Sequence, residues 1–351
     1  MEKDFKRVKA AEMDIKRKKP HDDMTKSLNA GSTCDILSFF RSLDPVNVKP
    51  KRVRFELDVL KADLEAKYLC LFPEKFFTFW KHVEMLAGKD GDPCGVYGNL
   101  KSLRLCGVFD YLSGHFKDEN ADKFLLHDRF ATDLPEMQTL AVYDNGRFVY
   151  WRDEPNTEKP LIVHVDNAEH FPKCFIIGAV DPFYIIAHLV GRNLPAKYRG
   201  FFTKDWIENY ATFVTDGKAI AKARKQSTVG QPFHGIGICV KVVNNVGYRP
   251  LNEKTGKLKE LINESILTND EIIKRKKLDR MLEIFAAVQF ANDEKDFGMG
   301  LEFGHNVFWC NYAFYDKMAL KILTTAYKLL KREAFARILN VHMQFRRGIN
   351  S

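Results

Sequence analysis

The stretch QTLAVYDNGRFVYWRD, residues 138–153, decides the fold class. Two runs rich in β-branched and aromatic residues flank Asn145-Gly146, a dipeptide that tolerates the positive φ angles of a type I′ turn. The stretch therefore predicts a β-hairpin, and PLIVHV at 160–165 predicts a further strand. The stretch CFIIGAVDPFYIIAHLV after it predicts a strand to Val180, then a helix that is capped by Asp181 and ends near Val190.

Helical periodicity surrounds these strands. Upstream, apolar residues within 58–86 recur at helical spacing and are interrupted at Pro73, which predicts two helices joined by a turn. Downstream, the spacing predicts helices at 204–226, 269–289 and 316–342. The segments 232–243 and 298–314 alternate like strands, and 244–260 is predicted as a loop. Together these elements predict an α+β fold of two mixed α/β domains, the C-terminal one with a mainly antiparallel sheet flanked by helices.

Composition predicts how the chain is divided. Residues 1–55 are polar and lack a sustained period, so we expect a disordered basic leader there. Residues 56–132 are predicted as an N-terminal helical or mixed domain, and 133–351 as a C-terminal α+β domain. Much of the net charge of +9 lies in the leader, whose two basic clusters are similar to a bipartite nuclear import signal or form a solvated tail. These clusters are Lys6, Arg7, Lys16, Arg17, Lys18 and Lys19.

Several classes of protein are disfavoured by the sequence. No apolar run approaches the roughly 20 residues that cross a bilayer, so we expect no membrane association. The seven cysteines and ten histidines are scattered without a ligand motif, which predicts reduced thiols and no metal. The phosphate-loop and nucleophile-elbow motifs are missing, so a self-sufficient enzyme is poorly supported.

An acidic cluster lies within FANDEKDFGMGLEFG, residues 290–304. Asp293, Glu294 and Asp296 follow a long helical pattern, where the negative end of the helix dipole disfavours them. The spacing does not fit an EF-hand, because the sixth and twelfth positions lack the glycine and glutamate. A glycosidase-type pair of Glu294 with Glu302 and a solvated acidic turn both remain open.

Four segments in the same order resemble the histone PARylation factor family, the accessory subunits of nuclear poly(ADP-ribose) polymerases. They are LCLFPEKFFTFWKHVEML (69–86), FHGIGICVKVVNNVGYR (233–249), VQFANDEKDFGMGLEFG (288–304) and LLKREAFARIL (329–339). The likeness extends from about residue 60 to residue 342.

The resemblance implies an accessory factor and not a stand-alone enzyme. Such a factor docks on the catalytic domain of a DNA-damage-activated poly(ADP-ribose) polymerase and completes a joint active site for ADP-ribosylation of serine. By position in the family motif, Glu294 is the general base. The same comparison implies that Asp293, Arg249, Phe290 and Asp296 bind the partner, with Arg249 holding the polymerase's C-terminal end.

The resemblance also implies the surroundings in which the chain acts. It implies no cofactor of its own, since NAD is bound by the partner polymerase, and it implies histones as further partners. It implies a monomer that acts in the nucleus, on the chromosome at sites of DNA damage, without direct nucleic-acid binding as the main activity. The chain departs from the family at Asn245 and Asn306, where acids often stand. The alternative is a non-catalytic basic chromatin or nucleic-acid binding protein.

Overall fold

The computed structural model describes Arg52 and residues 56–348. The predicted import residues and nearly all of the predicted leader lie outside the described residues.

A five-stranded antiparallel sheet holds the described chain together, with its strands side by side in chain order. The strands are β1 (Arg104–Leu105), β2 (Met137–Tyr143), β3 (Gly146–Trp151), β4 (Leu161–Val165) and β5 (Cys174–Ala179). The predicted α+β class with an antiparallel sheet is confirmed, and so is the hairpin, because β2 pairs directly with β3.

The turn of this hairpin differs from the predicted one. Tyr143 pairs with Gly146, so the loop residues are Asp144 and Asn145, and neither has the positive φ that a type I′ turn requires. Gly146 has the unusual angle instead, with φ +151°. A Cβ atom there would lie 2.2 Å from the carbonyl oxygen of Val165 on β4. The glycine is therefore needed for close approach of a neighbouring strand.

Both faces of the sheet are buried. Along β3, Phe148 and Tyr150 pack into one hydrophobic core, whereas Val149 and Trp151 pack into a second. This follows from the two-residue period of a strand, which sends successive side chains to opposite faces.

Helices from the first part of the chain build most of the first core. They are α1 (Leu57–Tyr68), α2 (Glu74–Ala87), α3 (Val108–Ser113), α4 (Ala121–Leu126), α5 (Phe183–Val190), α6 (Lys204–Glu208) and α7 (Tyr210–Ser227). The two helices predicted around Pro73 are confirmed, with Pro73 directly before α2. At the start of α5, Pro182 takes the N-cap position that was predicted for Asp181, and Asp181 Oδ1 accepts a hydrogen bond of 3.0 Å from the Phe183 amide.

Five later helices build most of the second core. They are α8 (Thr255–Leu267), α9 (Glu271–Asp293), α10 (Phe297–Trp309), α11 (Asp316–Leu329) and α12 (Glu333–Phe345). The helix predicted at 269–289 is confirmed as α9. The single helix predicted at 316–342 is wrong, because Lys331 takes φ +59° and separates α11 from α12. The loop predicted at 244–260 is also too long, since α8 begins inside it at Thr255.

The strand predicted at 298–314 is wrong, because most of this segment forms α10. Its glycines serve close packing: a Cβ atom on Gly304 would lie 2.5 Å from Leu323 Cδ2 on α11. The strand predicted at 232–243 is wrong too. That segment is irregular and makes isolated bridges, such as the one between Gly230 and Ile238.

The predicted boundary between 56–132 and 133–351 falls shortly before β2 and stays a prediction. Among the helices of residues 56–348, none is long and apolar enough to cross a membrane.

Candidate functional site

The acidic cluster lies at the corner between α9 and α10. Helix α9 ends at Asp293, and Lys295 adopts the left-handed conformation with φ +68°. The amide of Asp296 then donates a hydrogen bond of 2.8 Å to the carbonyl oxygen of Ala291. This closure of a helix C-terminus satisfies late carbonyl groups and lets α10 begin at once. The corner keeps the end of α9 exposed.

Asp296 anchors an irregular loop to this corner. Its side chain is buried, and its Oδ1 accepts a hydrogen bond of 2.9 Å from the amide of Gly247. The carbonyl of Gly247 in turn accepts a bond of 2.9 Å from the amide of Gly298 in the first turn of α10. Because Asp296 directly precedes α10, its charge also stabilises the positive end of that helix. The loop that carries Arg249 is thus fixed at two adjacent points.

Arg249 lies between two of the acids. Its Nη2 forms an ion pair with Glu294 Oε2 and lies 3.1 Å from Asp296 Oδ2. The hydrogen bond to Glu294, followed by the nearby charges of Glu294 and Asp296, raises the pKa of Arg249. The side chains of Arg249 and Glu294 are 45% and 57% exposed, so this pair lies open to solvent. The positive charge of Arg249 also offsets the unfavourable interaction of these acids with the negative C-terminal end of the α9 dipole.

The structure brings the predicted site residues to one corner but gives them different surroundings. Arg249, Glu294 and Asp296 are in direct contact. Phe290 is one helical turn earlier, where its carbonyl oxygen accepts a bond from the Glu294 amide, and its side chain is 67% exposed. Asp293 is exposed as well, whereas Asp296 is buried and used within the protein.

Glu302, on the buried side of α10, binds the loop of residues 228–249 at two points. Glu302 accepts hydrogen bonds from the Gln231 amide at 3.1 Å and from the Tyr248 hydroxyl at 2.8 Å. Burial raises the pKa of Glu302, and the two hydrogen bonds counteract this rise. Because Tyr248 is the neighbour of Arg249, the buried carboxylate positions the exposed cation.

A second tether runs through two buried histidines. The Ile236 amide donates to His234 Nδ1 at 3.1 Å, so the proton of neutral His234 is on Nε2. This Nε2 lies 3.1 Å from His305 Nδ1, and His305 Nε2 lies 3.0 Å from Glu136 Oε1. Burial lowers the pKa of His234 well below its usual value, which keeps the ring neutral. The chain of hydrogen bonds joins the loop to Glu136, the residue directly before β2.

Sequence reasoning missed this support. Its signal is the spacing of Glu302, His305 and Asn306, which places them on one side of a helix, but the segment was predicted as a strand. Asn306, one of the two departures from the family, accepts a hydrogen bond of 2.8 Å from the Phe233 amide and is buried. Glu302, considered as a partner of Glu294 in a hydrolytic pair, has both oxygens engaged inside the protein.

The comparisons with known proteins agree with this arrangement. A family model described as histone PARylation factor 1 matches residues 59–346, which include every element of the corner. The chain belongs to this family. Histone PARylation factor 1 of Mus musculus is 32% identical, over 85% of this chain and 91% of the mouse protein. The Danio rerio protein of the same name is 30% identical, over 82% of this chain and 86% of its own length.

Membership confirms the resemblance seen in the sequence. The histone PARylation factor family is named for a factor in the PARylation of histones, not for a polymerase. Its match begins at residue 59 and so leaves out the predicted leader. Within the matched range, the α9–α10 corner combines an exposed carboxylate, a fixed guanidinium and a buried scaffold.

Proposed function

We propose that this chain is an accessory factor that docks on the catalytic domain of a DNA-damage-activated poly(ADP-ribose) polymerase. There it completes a joint active site and supplies Glu294 as the general base for ADP-ribosylation of serine in histones and other proteins. One observation carries the proposal: Glu294 is an exposed carboxylate on a corner that is otherwise rigidly tethered. A base that acts on another protein's substrate must combine exposure with a fixed position.

The reaction requires a base because a serine hydroxyl is a weak nucleophile at neutral pH. In the joint site the hydroxyl oxygen attacks the anomeric carbon of the nicotinamide ribose of NAD, and nicotinamide leaves with the electrons of the broken bond. Glu294 takes the hydroxyl proton as the new carbon–oxygen bond forms. NAD belongs to the polymerase in this scheme, so the chain needs no cofactor of its own.

Arg249 has two roles in the proposal. In the free chain its guanidinium is paired with Glu294, so one oxygen of that carboxylate is already occupied. Docking gives Arg249 a new partner, the carboxylate at the polymerase's C-terminal end, and the planar guanidinium suits such a group. Asp296, 3.1 Å from the guanidinium, keeps Arg249 in place during this exchange. Glu294 is then free to act.

Phe290 and Asp293 complete the docking surface. Phe290 offers a large apolar side chain that is mostly exposed, and aromatic side chains are enriched at protein interfaces. Asp293, next to the base, adds negative charge toward a basic histone tail. Such surroundings favour a lysine beside the acceptor serine.

The alternative of a non-catalytic nucleic-acid binder finds less support in the structure. The basic residues of α9 are its best candidate, but two of the five are already paired: Lys277 with Glu264, and Arg280 with Glu253 and Glu283. Paired cations neutralise fewer phosphates. Salt titration separates the two functions, since phosphate binding weakens steeply with ionic strength.

The test is serine ADP-ribosylation of a histone tail peptide by a DNA-activated polymerase with NAD. The reactions contain this chain, its Glu294→Ala variant, its Glu283→Ala variant, or no addition. Glu283 is the matched control, because it is an exposed acid on α9, the helix that ends directly before Glu294, and has its own arginine partner. We expect serine modification with the unaltered chain and with Glu283→Ala only.

Two outcomes would contradict the proposal. Equal modification with Glu294→Ala would show that Glu294 is not the base. A failure of the unaltered chain to change the acceptor, in a polymerase preparation with normal automodification, would reject the accessory role itself.

A further inference from the structure

Three side chains of different ligand chemistry come together outside the α9–α10 corner. Asp92 precedes a 3₁₀ turn at Pro93–Gly95 that contains Cys94, and His115 follows the end of α3. One carboxylate oxygen, the thiol sulfur and one ring nitrogen all lie within 4.8 Å of one another. Asp92 and Cys94 are two positions apart, but His115 is 21 positions after Cys94, so no short motif reveals the cluster.

Hydrogen bonds hold two of the three ligand side chains, those of Asp92 and His115. Asp92 Oδ1 accepts a hydrogen bond of 2.9 Å from the Cys94 amide, which holds the carboxylate over the 3₁₀ turn. His115 Nδ1 lies 2.9 Å from Ser113 Oγ and 3.8 Å from Asp92 Oδ1. The Ser113 hydroxyl donates its own hydrogen to the carbonyl of Asp110, so it accepts from the imidazole. The Asp92 carboxylate is therefore held at the turn, and the His115 ring gives up its bond to Ser113 when Nδ1 binds an ion.

The accessibility of the cluster suits an ion that enters from solvent. The side chains of Asp92 and His115 are 48% and 34% exposed, whereas Cys94 is fully buried beneath them. A thiolate, an imidazole and a carboxylate form a ligand set of the borderline kind that zinc favours. Zinc bond lengths place ligand atoms roughly 3.5 Å apart, so small side-chain rotations close the cluster around an ion.

We propose that Asp92, Cys94 and His115 form a zinc-binding site with a fourth position open to water. Binding converts the Cys94 thiol to a thiolate, and its proton goes to solvent. The proton on His115 Nδ1 moves to the exposed Nε2, which changes the tautomer and not the charge. The thiolate and the Asp92 carboxylate then balance the two charges of the ion. The bound metal ties the 3₁₀ turn to the end of α3.

The main free-energy cost of binding the ion is deprotonation of the buried Cys94 thiol. Burial raises the pKa of Cys94 well above that of a free cysteine. A bound cation removes this obstacle because it stabilises the thiolate directly. Affinity therefore increases with pH, since each ion displaces a proton.

In a second cluster with similar ligands, the carboxylates already have partners within the protein. Asp110, His127 and Asp128 also have ligand atoms within 4.8 Å. However, Arg104 pairs with Asp110, and His127 Nε2 lies 3.1 Å from Asp110 Oδ2 and 3.2 Å from Asp128 Oδ2. An additional cation would have to displace the Arg104 guanidinium and the contacts of His127. In the cluster around Cys94, none of the described ion pairs joins Asp92 to a lysine or an arginine.

The test is titration of Co²⁺ into the full chain after chelator treatment and reduction of the thiols. Cobalt reports a thiolate ligand through a near-ultraviolet charge-transfer band and a tetrahedral site through intense visible bands. We expect both at one equivalent, displacement by Zn²⁺, and release of one proton per ion. Cys94→Ser should remove the charge-transfer band, and His115→Gln should weaken Co²⁺ binding by at least about 10-fold.

The controls are Cys174→Ser and His170→Gln, which change a thiol and a half-exposed histidine outside the cluster. Both should bind Co²⁺ like the unaltered chain. If Cys94→Ser does not fold, the test rests on the affinity of the His115→Gln variant for Co²⁺, because His115 is exposed. A missing thiolate band at one equivalent, or binding that His115→Gln leaves unchanged, would overturn the proposal. The readouts are spectroscopic, so they do not depend on the proposed polymerase function.

Discussion

Tyr248 donates its hydroxyl hydrogen to Glu302 at 2.8 Å, so the residue beside Arg249 is bound to the buried side of α10. The exposed ion pair of Arg249 with Glu294 therefore depends on a carboxylate that is itself inaccessible. Precision at the surface comes from polar contacts in the interior.

Tyr248→Phe tests this support. The change leaves one oxygen of a buried carboxylate without its donor, which costs about 1–3 kcal/mol of the free energy of unfolding. Urea denaturation measures the loss. Tyr198→Phe serves as the control, because it also removes a hydroxyl from a partly buried tyrosine ring, but one that does not contact Glu302. Equal stability of Tyr248→Phe and the unaltered chain would show that the tether is weak.

Arg249→Ala should affect docking more than Glu294→Gln does. In the proposed complex, loss of the guanidinium removes a charged contact with the polymerase, and we expect affinity for its catalytic domain to fall by about 10-fold or more. Glu294→Gln removes a competitor for Arg249 inside the chain, so binding should be unchanged or slightly tighter. Calorimetry with the isolated catalytic domain measures both. Parallel losses in the two variants would argue against separate roles.

Gly304→Ala should destabilise the packing of α10 against α11. The added methyl would lie 2.5 Å from Leu323 Cδ2 and 3.1 Å from Ile322 Cγ2. Overpacking of this kind costs about 1–3 kcal/mol. Gly256→Ala on α8 is the matched control, because its methyl meets no atom within 4 Å and alanine favours a helix. In thermal unfolding, Gly304→Ala should have a lower melting temperature than Gly256→Ala and the unaltered chain.

Acid should destabilise the fold through His164. Burial, then the nearby His188, lowers the pKa of His164 to about 4, and Tyr143 lies 2.7 Å from its Nε2. In the unfolded chain its pKa is about 6.5, so the unfolded state binds more protons between these values. Its contribution is fully present above about pH 6.5 and is lost as pH falls toward 4. From pH 7 to pH 5 the loss is about 2 kcal/mol.

His164→Gln isolates this contribution. The variant should lose about 2 kcal/mol less than the unaltered chain between pH 7 and pH 5 in urea denaturation. His170→Gln, at a half-exposed position, should keep the full pH dependence. An identical pH dependence in His164→Gln would place the acid sensitivity elsewhere.

Local patterns predicted the elements that local physics controls. The hairpin at 138–153 and the helices around Pro73 follow from strand propensity, turn residues and apolar spacing. Segment 298–314 was missed because it was interpreted as strand-like, although Gly304 in it is required by a neighbouring helix. Only the partner element explains such a residue, and a single sequence does not show which element that is.

The candidate site was predictable in part. The resemblance pointed to Arg249 and Glu294, which are 45 positions apart, but periodicity alone could not place them in contact. The buried network of Glu302, His305 and Asn306 depends on the path of an irregular loop. Its partners are backbone amides and remote side chains, and these have no signature in residue type.

The sheet with two buried faces limits how the protein can fold. A slip of one residue between β3 and its neighbours would move Phe148 and Tyr150 into the core that accommodates Val149 and Trp151. Both cores would then be mispacked at once, so the pairing of one strand couples their formation. We therefore expect described residues on either side of the sheet to lose structure in a single cooperative transition, with coincident tryptophan fluorescence and circular dichroism curves.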